Sequence, residues 1–420
     1  MAEPWKSDLW FTSPWNFLPE VTKGFSFPKQ VKIHDTTLRD GEQQAGVVFT
    51  KDDKIRIASM LDEAGVHRIE AGMPAVSWAD AEAIKTIAEM GLKAEVFTFA
   101  RCIVDDVKRA SEAGVKGIIL EVPSSQHLIQ KAYKWPLERA IDSTIKATLQ
   151  AKAEGLYTTF FPIDASRAEM TWYLDLIERI AREGHMDALA LVDTMGVLTP
   201  QAVQYFVKRT KERIKKPLET HFHMDYGLGV ANTIVAMLNG VETVHTTITG
   251  IGERAGNVPM EDLVLSLQTL YGVDTGIESA KLYPLSKLVR ELADHPIPPN
   301  RHIVGDHLFD IESGIPAMFY KNLMEQGPDQ LTEMFPYQPR LVGQNPPRIL
   351  LGKGSGMDSV GIWLDRIGVK ATNEEMQELL LQVKNRSLEK KGMLDEYEFR
   401  KIAEAVVSKR PAGDPKRAKS

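Results

Sequence analysis

The sequence predicts a TIM (β/α)8 barrel followed by a small C-terminal α/β subdomain and a helical tail. Eight short, nearly continuously apolar runs recur along residues 31–280, amphipathic helical patterns separate them, and the rhythm stops after residue 280. Continuously apolar runs are typical of parallel strands that are covered on both faces. Eight βα units in succession favour a closed barrel over an open doubly wound sheet. No G-x-G-x-x-G follows the first strand, which argues further against a dinucleotide-binding fold.

The predicted elements have recognisable boundaries. Thr50 lies three residues before Asp53, as in a capping box, and Thr199 precedes Pro200 as a cap precedes a first-turn proline. The predicted strands are Val31–Asp35, His67–Ala71, Glu95–Phe99, Gly117–Val122, Tyr157–Pro162, Ala188–Asp193, Leu218–His223 and Val241–Thr249.

Composition divides the chain outside the barrel. Residues 1–30 form an aromatic N-terminal arm, which we expect to lie across the domain or a partner subunit because disordered segments are poor in aromatic residues. The catalytic barrel covers residues 31–280, and a linker or subdomain rich in Pro and Gly covers 285–370. Two amphipathic helices occupy residues 371–408, and the basic tail 409–420 is expected to be disordered.

Bulk properties exclude several function classes. The net charge of the 420 residues is −6, so no global basic field favours nucleic acid. No apolar run of membrane-spanning length and no signal-peptide pattern occur. The single cysteine, Cys102, permits no intramolecular disulfide and fits a reducing compartment. We therefore expect a cytoplasmic protein with neither a nucleic-acid nor a membrane partner.

Polar residues follow the first strand, where a barrel places its active residues. Arg39, Asp40 and Gln43 lie within five positions of one another. A carboxylate is a hard oxygen ligand for a divalent metal, and an adjacent Arg can polarise a carbonyl or stabilise an enolate. A charged surface loop is the alternative interpretation.

Two later strand ends add nitrogen and oxygen donors. His221 and His223 are two apart at the end of the seventh strand, so both imidazoles share one face. Asn257 closes the glycine-rich loop Gly250–Asn257 after the eighth strand, and its amide is a neutral oxygen ligand. A phosphate-cradling loop is the rival interpretation, but the Lys-Ser/Thr of a P-loop is missing.

Together, Asp40, His221, His223 and Asn257 predict a site for Mg²⁺, Mn²⁺ or Zn²⁺ with open positions for a bidentate substrate. A metal chelated by the oxo and carboxylate oxygens of a 2-oxo acid acts as a Lewis acid. Thr194, after the sixth strand, is placed to donate to that carboxylate, although a turn leading into the next helix is the alternative.

The motifs resemble those of the DRE-TIM metallolyase superfamily, closest to the 2-isopropylmalate, homocitrate and citramalate synthases. The resemblance covers residues 30–275 and rests on Leu38–Gln43, the His-x-His pair and Gly250–Asn257. Beyond the barrel, Val304–Ile315 and Leu351–Gly356 resemble stretches of the synthases rather than of the lyases.

The resemblance implies roles for individual residues. The metal ligands would be Asp40, His221, His223 and Asn257. Arg39 would stabilise the substrate oxygen or enolate and Thr194 would bind the keto-acid carboxylate, with Asp35 and Gln43 in support. A homodimer is also implied.

Two departures concern the base that deprotonates the acyl-CoA in the synthases. The Glu of the family's Glu-Asp-Ala-x-Arg is Ile163, and the His expected after Ser-Gly-Ile is Pro316. A further change places Met224 after the His-x-His pair. Candidate replacements for the base are His307, His302, Asp164 and Tyr337.

The acceptor pocket is not identified by sequence, although Arg167 and Glu70 are expected to bind substrate. Other residues expected at the barrel mouth are Gln44, Phe99, Glu121 and Phe161. The resemblance implies a metal-dependent Claisen-type condensation of an acyl-CoA, with acetyl-CoA as co-substrate, and a 2-oxo acid to a 2-hydroxy-dicarboxylate. The alternatives are a metal-dependent aldolase or retro-Claisen lyase, and a metal-binding scaffold without catalysis.

Overall fold

The computed structural model describes residues 3–408, which form two compact units. Among the described residues, the larger unit comprises 13–298 and 302–304, and the smaller unit comprises 3–12, 299–301 and 305–408.

Eight parallel strands close the larger unit into a barrel in sequence order, because the first strand pairs with both the second and the eighth. The strands are β1 (Lys32–Asp35), β2 (Arg68–Glu70), β3 (Glu95–Arg101), β4 (Gly117–Pro123), β5 (Tyr157–Ile163), β6 (Ala188–Asp193), β7 (Leu218–Phe222) and β8 (Thr243–Thr246). The predicted barrel and all eight strands are confirmed. Strand β8 is shorter than predicted because Ile248–Gly250 forms a 3-10 turn in which Thr249 has a φ of 61°.

The helices of the larger unit cover the outside of the barrel. They are α1 (Pro19–Thr22), α2 (Lys51–Glu63), α3 (Trp78–Glu89), α4 (Val104–Glu112), α5 (Leu137–Ala153), α6 (Met170–Glu183), α7 (Pro200–Arg213), α8 (Gly229–Leu238), α9 (Met260–Leu270) and α10 (Leu282–Leu292). Helix α2 starts with the predicted capping box, in which Thr50 and Asp53 satisfy each other's backbone N–H groups. Helix α10 packs against α2, so the barrel unit extends past residue 280.

Apolar side chains from β3 to β6 pack together inside the barrel below its mouth. Buried residues of this cluster come from β3 to β6, and they are Phe97, Phe99, Ile119, Phe161, Ala190 and Val192. The rings of Phe99 and Phe161 meet edge to face at 5.4 Å. Alternate residues of each strand point into the barrel. The inward-facing residues at the carboxyl ends of the strands therefore lie above the rings of Phe99 and Phe161.

The smaller unit has its own core. Its elements are β9 (Asp310–Ile311), α11 (Gly314–Met324), β10 (Arg348–Ile349), α12 (Met357–Ile367), α13 (Asn373–Lys390) and α14 (Glu396–Val407). Strands β9 and β10 pair in parallel, and Trp363 stacks edge to face on Phe399 at 5.6 Å. Helices α13 and α14 match the two helices predicted for residues 371–408, and each begins with a capping box.

The aromatic arm divides between the two units. In the smaller unit, the backbone N–H of Phe11 donates to Pro336 at 3.0 Å, and Trp10 pairs with Tyr337. In the larger unit, Phe25 and Phe27 pack on the ring of Tyr271. The predicted disordered tail, 409–420, lies outside the described residues. Within residues 3–408, no helix is long and apolar enough to cross a membrane.

Candidate metal centre

The barrel brings three of the four predicted metal ligands into direct contact. Asp40 follows β1, His221 lies within β7 and His223 comes just after it. His221 Nε2 lies 2.9 Å from Asp40 Oδ2 and 3.3 Å from His223 Nε2, and His223 Nε2 lies 3.8 Å from the same carboxylate oxygen. The three side chains are buried, and one ligand atom from each falls within 4.8 Å of the others.

The protonation states of these groups suit a cation. Burial alone raises the pKa of Asp40, but the Arg39 guanidinium and the two imidazoles outweigh it and hold that pKa well below its usual range. Burial lowers the pKa of His221 to about 3, so its imidazole is neutral at pH 7. Deprotonated carboxylates and neutral imidazoles are the forms that bind divalent metals.

Unpaired atoms support the same conclusion. Within the described part of the chain, Asp40 Oδ1 is buried and has no hydrogen-bond partner. A buried carboxylate oxygen without a partner is costly, and a bound cation satisfies it. The residues therefore fit a divalent metal held by one carboxylate and two imidazoles.

The glycine-rich loop after β8 places Asn257 beside this group. His223 and Asn257 form a backbone bridge, and Asn257 Nδ2 donates to the Ile251 carbonyl at 3.4 Å, which leaves the amide oxygen available for a metal. Gly252 has a φ of 153°, and a Cβ there would overlap the Asn257 amide and lie 3.4 Å from Asp40 Oδ1. Only glycine therefore permits the loop to approach the fourth predicted ligand this closely.

Arg39 is held rigidly at the edge of the site. Its Nε donates to Glu70, its Nη1 donates to Gln43 Oε1 at 3.0 Å and lies 3.2 Å from Asp40 Oδ2, and its guanidinium covers the Phe99 ring at 4.0 Å. Its Nη2 is buried and has no hydrogen-bond partner among the described residues. A fixed, unsatisfied donor of this kind is suited to stabilising negative charge on a substrate oxygen.

Glu70 was expected to bind substrate, but it does not line the cavity at the barrel mouth. It is fully buried, and its two oxygens accept from Arg39 and from His34, the latter at 3.0 Å. Burial raises its pKa, but Arg39 and His34 outweigh it and lower the pKa to about 2. Both oxygens of this buried carboxylate are engaged by protein groups and Glu70 does not line the cavity, so it supports Arg39 instead.

A chain of buried side chains continues from His221 into the barrel. His221 Nδ1 lies 3.3 Å from His245 Nδ1, His245 Nε2 lies 2.9 Å from Glu219 Oε2, and Glu219 Oε1 accepts from Arg68 at 2.7 Å. Burial raises the pKa of Glu219, but His245 and Arg68 outweigh it and lower that pKa to about 2, so the carboxylate is an acceptor only.

The ionised carboxylate of Glu219 fixes the tautomers of the two histidines in this chain. His245 must carry its proton on Nε2 to donate to Glu219, so its Nδ1 is an acceptor, and His221 must donate from Nδ1. The Nε2 of His221 then presents a lone pair to Asp40 Oδ2 at 2.9 Å, an arrangement that a cation between the two atoms makes favourable. Sequence reasoning missed this chain, although Glu219 lies two residues before His221 and therefore on the same inward face.

Of the other predicted residues in the larger unit, Thr194 lies at the cavity and Arg167 does not. Thr194 lines the same cavity, and its Oγ1 accepts from the backbone N–H of Asp164 at 2.8 Å. Arg167 does not line the cavity, because its guanidinium pairs with Asp164 at 2.6 Å. Asp164 is buried and also accepts from Ser125 at 2.6 Å, so it has little capacity left to act as a base. Substrate binding by Arg167 stays a prediction.

Three candidate bases lie elsewhere in the fold. His302 pairs with Asp262 at 2.8 Å in the larger unit. In the smaller unit, His307 Nδ1 lies 2.5 Å from Asp310, and Tyr337 packs against Phe309. A catalytic role for any of the three stays a prediction.

One cavity of about 240 Å³ at the barrel mouth contains most of the predicted residues. Its lining combines the metal-ligand group, Arg39 and an apolar wall, and consists of Arg39, Asp40, Gln43, Phe99, Glu121, Tyr133, Phe161, Ile163, Val192, Thr194, His221, His223 and Glu253. Ile163 occupies the lining position that the resemblance assigns to a glutamate, so that side of the cavity is apolar.

Comparison with known proteins identifies the family of the chain. A family model described as HMGL-like matches residues 30–289, which is more than half of the chain. The chain belongs to the HMGL-like family. This membership confirms the predicted superfamily, and the matched range contains Arg39, Asp40, His221, His223 and Asn257.

Similar sequences include two synthases from archaea. The chain is 40% identical to a putative (R)-citramalate synthase of Archaeoglobus fulgidus, over 90% of this chain and 76% of the relative. It is 38% identical to a homocitrate synthase of Methanocaldococcus jannaschii, over 91% of this chain and 92% of the relative. Among solved structures, HMG-CoA lyase of Bacillus subtilis matches with a TM-score of 0.58 and 22% identity, over 65% of this chain and 96% of that one, which shows the shared fold.

Proposed function

We propose that this protein catalyses the metal-dependent condensation of an acyl-CoA with a 2-oxo acid to give a 2-hydroxy-dicarboxylate. One observation carries the proposal: Asp40, His221 and His223 converge on a cation site directly beside the unsatisfied Nη2 of Arg39. The names of the relatives, a citramalate synthase and a homocitrate synthase, support this reaction class over cleavage by an aldolase or lyase.

Each part of the cavity has a task in this reaction. A divalent metal held by Asp40, His221, His223 and Asn257 polarises the 2-oxo group when it is bound. Arg39 Nη2 is placed to donate to an oxygen that gains negative charge, and it is already oriented by Glu70 and does not reorganise during the reaction.

Two further features of the cavity assist the chemistry. Thr194 offers a hydroxyl to a substrate carboxylate at the same rim. The apolar side chains of Phe99, Phe161 and Val192 line part of the cavity and limit the contact of an enolate with water.

The acyl donor, the metal, the cellular location and the oligomeric state are also proposals. We propose acetyl-CoA as the acyl donor, Mg²⁺, Mn²⁺ or Zn²⁺ as the metal, a cytoplasmic location and a homodimer. Light scattering of the purified protein tests the homodimer, and a monomer at micromolar concentration would contradict it.

A thiol-release assay tests the reaction. The metal-loaded protein is mixed with acetyl-CoA and, in turn, pyruvate, oxaloacetate, 2-oxoglutarate and 2-oxoisovalerate, and free CoA is measured against samples that lack either substrate. We expect thiol release only when both substrates are present, with one preferred acceptor.

Two results would count against the proposal. Thiol release without any 2-oxo acid would indicate a thioesterase. Consumption of a 2-oxo acid with an aldehyde, and without CoA, would indicate the aldolase reaction instead. As a control for the site, His221→Ala removes a proposed metal ligand and is expected to abolish metal binding and turnover together.

A further inference from the structure

The condensation needs a base that the resemblance does not supply. The α-proton of an acyl-CoA must be removed by a group within hydrogen-bond reach, and that group must be ionised at the working pH. Ile163 and Pro316 occupy the two positions that provide it in the synthases, and neither side chain accepts a proton.

Glu121 is a carboxylate in the right cavity. It lies near the carboxyl end of β4, paired in register with Arg101 of β3 and with Phe161 of β5. Phe161 contacts the ligand His221, their ring centroids being 4.9 Å apart. Strand neighbours in register project to the same face of a sheet, so Glu121 and Phe161 both face the barrel mouth, and both line the cavity.

The carboxylate of Glu121 is free to act. Its Oε2 is buried and has no hydrogen-bond partner within residues 3–408. Arg39 lines the same cavity, and its Nη2 is also unsatisfied. An unpaired acceptor and an unpaired donor therefore line one cavity, an arrangement suited to taking a proton from carbon and stabilising the resulting enolate oxygen.

The other carboxylates of the cavity are less suited. Asp40 is committed to the cation site, where two imidazoles and Arg39 surround it. The side chain of Glu253 is 56% exposed and pairs with Arg254, so it is neither sheltered from solvent nor unpaired. Among the described residues, Glu121 is thus the sheltered carboxylate of the cavity that has an unpaired oxygen and is not committed to the cation site.

On this basis, and given the proposed function, we propose that Glu121 is the general base that removes the α-proton of the acyl-CoA. The C–H bond breaks, its proton moves to Glu121 Oε2, and its electron pair forms an enolate, whose α-carbon then forms the new bond to C2 of the 2-oxo acid. The C=O pair of C2 moves to its oxygen, which takes a proton back from Glu121. Water then hydrolyses the thioester, releasing CoA as its thiol.

The charges around Glu121 agree with this role. Burial raises the pKa of Glu121 to about 7, and Arg39 and Arg101 offset only part of this effect. A base with a pKa near the working pH combines a useful ionised fraction with strong basicity. The titratable or charged groups that interact with it are Arg39 after β1, Arg101 of β3, Cys102, Asp106 of α4 and Tyr133.

Glu121→Gln is the direct test, because it keeps the shape of the side chain and removes its basicity. We expect thiol release from acetyl-CoA and the accepted 2-oxo acid to fall by about 10²–10⁴-fold in kcat. The KM for the 2-oxo acid and the affinity for Mn²⁺ should stay within threefold. Glu121→Asp should recover part of the rate, and the matched control Glu112→Gln, on the exposed end of α4, should leave it unchanged.

Two further readouts distinguish a base from a structural group. In D2O, the wild-type protein should exchange the methyl protons of acetyl-CoA for deuterium when metal and 2-oxo acid are present, and Glu121→Gln should not. The wild-type kcat should rise with pH through about 7, because the base must be ionised, and this limb should be absent from the residual activity of Glu121→Gln.

The outcomes separate this proposal from the one on which it rests. If the wild-type protein condenses the substrates and Glu121→Gln retains its kcat, or changes only KM, then Glu121 is not the base and the proposed function stands. If the wild-type protein neither releases thiol nor exchanges the methyl protons with any acceptor, both proposals are overturned.

Discussion

Replacing Glu219 by Gln tests whether the buried chain behind His221 controls metal binding. The carboxylate accepts from His245 Nε2 at 2.9 Å and from Arg68 at 2.7 Å, and Gln offers only one acceptor oxygen for these two donors. Arg68 has no acceptor atom, so it must keep the oxygen, and the amide NH2 must then face His245.

The consequence passes along the chain to the metal site. His245 must become an acceptor at Nε2, which moves its proton to Nδ1, and His221 must then accept at Nδ1 and carry its own proton on Nε2. That nitrogen faces Asp40 and the cation, so the tautomer that binds metal becomes the disfavoured one. Loss of such an outer hydrogen bond typically weakens metal affinity by about 10–100-fold, or about 1.4–2.8 kcal/mol.

Isothermal titration of the metal-free protein with Mn²⁺ measures this effect. Glu242 is an exposed glutamate just before β8, and the matched control Glu242→Gln should bind Mn²⁺ as the wild-type protein does. Thermal unfolding shows whether Glu219→Gln is folded. A folded variant that binds Mn²⁺ within threefold of wild type would refute the tautomer argument.

Three other substitutions follow from the same structure. His221→Ala should abolish Mn²⁺ binding, measured by metal analysis after dialysis, and a stoichiometric metal content would contradict the site. Gly252→Ala should weaken Mn²⁺ binding at least tenfold without unfolding the barrel, because the new methyl group overlaps the Asn257 amide, and unchanged affinity would exclude Asn257 as a ligand. Burial raises the pKa of Asp35 to about 7, so the folded metal-free protein keeps a proton that the unfolded chain releases above about pH 4. Stability from this group is complete below about pH 4 and is lost as the pH rises to about 7, by up to about 4 kcal/mol. Asp35→Asn should therefore flatten the free energy of unfolding between about pH 4 and 7, and an equal slope in both proteins would contradict this.

Much of the fold was predictable because its signals are local. The apolar runs and the helix caps mark each βα unit, and the structure keeps all eight strands with ends that shift by a few residues. The end of strand β8 was predicted least accurately, because the residues of the turn at Ile248–Gly250 continue the apolar pattern of the strand. The grouping of residues 282–298 with the barrel depends on packing between α10 and α2, which is a long-range contact that no local pattern encodes.

The site was predictable to the extent that motifs mark strand ends. Asp40, His221 and His223 meet as expected, because a barrel collects the carboxyl ends of its strands at one mouth. Glu70 was expected at the substrate, but its side chain faces the barrel interior, where it pairs with Arg39. Sequence alone cannot separate these two cases, since β2 is only three residues long and its burial depends on its neighbours.

The sequence also placed Glu121 at the mouth but did not distinguish it from the other residues there. Its importance comes from burial and from the lack of a partner for Oε2, and both properties depend on strands that are distant in sequence. The chain from His221 to Arg68 likewise joins β7, β8 and β2, so only the closed barrel brings its members together.

The divided aromatic arm has a consequence for the order in which the chain is made. Residues 3–12 belong to the smaller unit, whose remaining residues begin at 299. A ribosome that adds roughly 5–20 residues per second needs on the order of 15–60 s to span that interval. Trp10 is therefore synthesised long before its partner Tyr337, and all eight strands of the barrel are synthesised between the two. The barrel can thus fold during synthesis before residues 3–12, with Trp5 and Trp10, find the rest of the smaller unit.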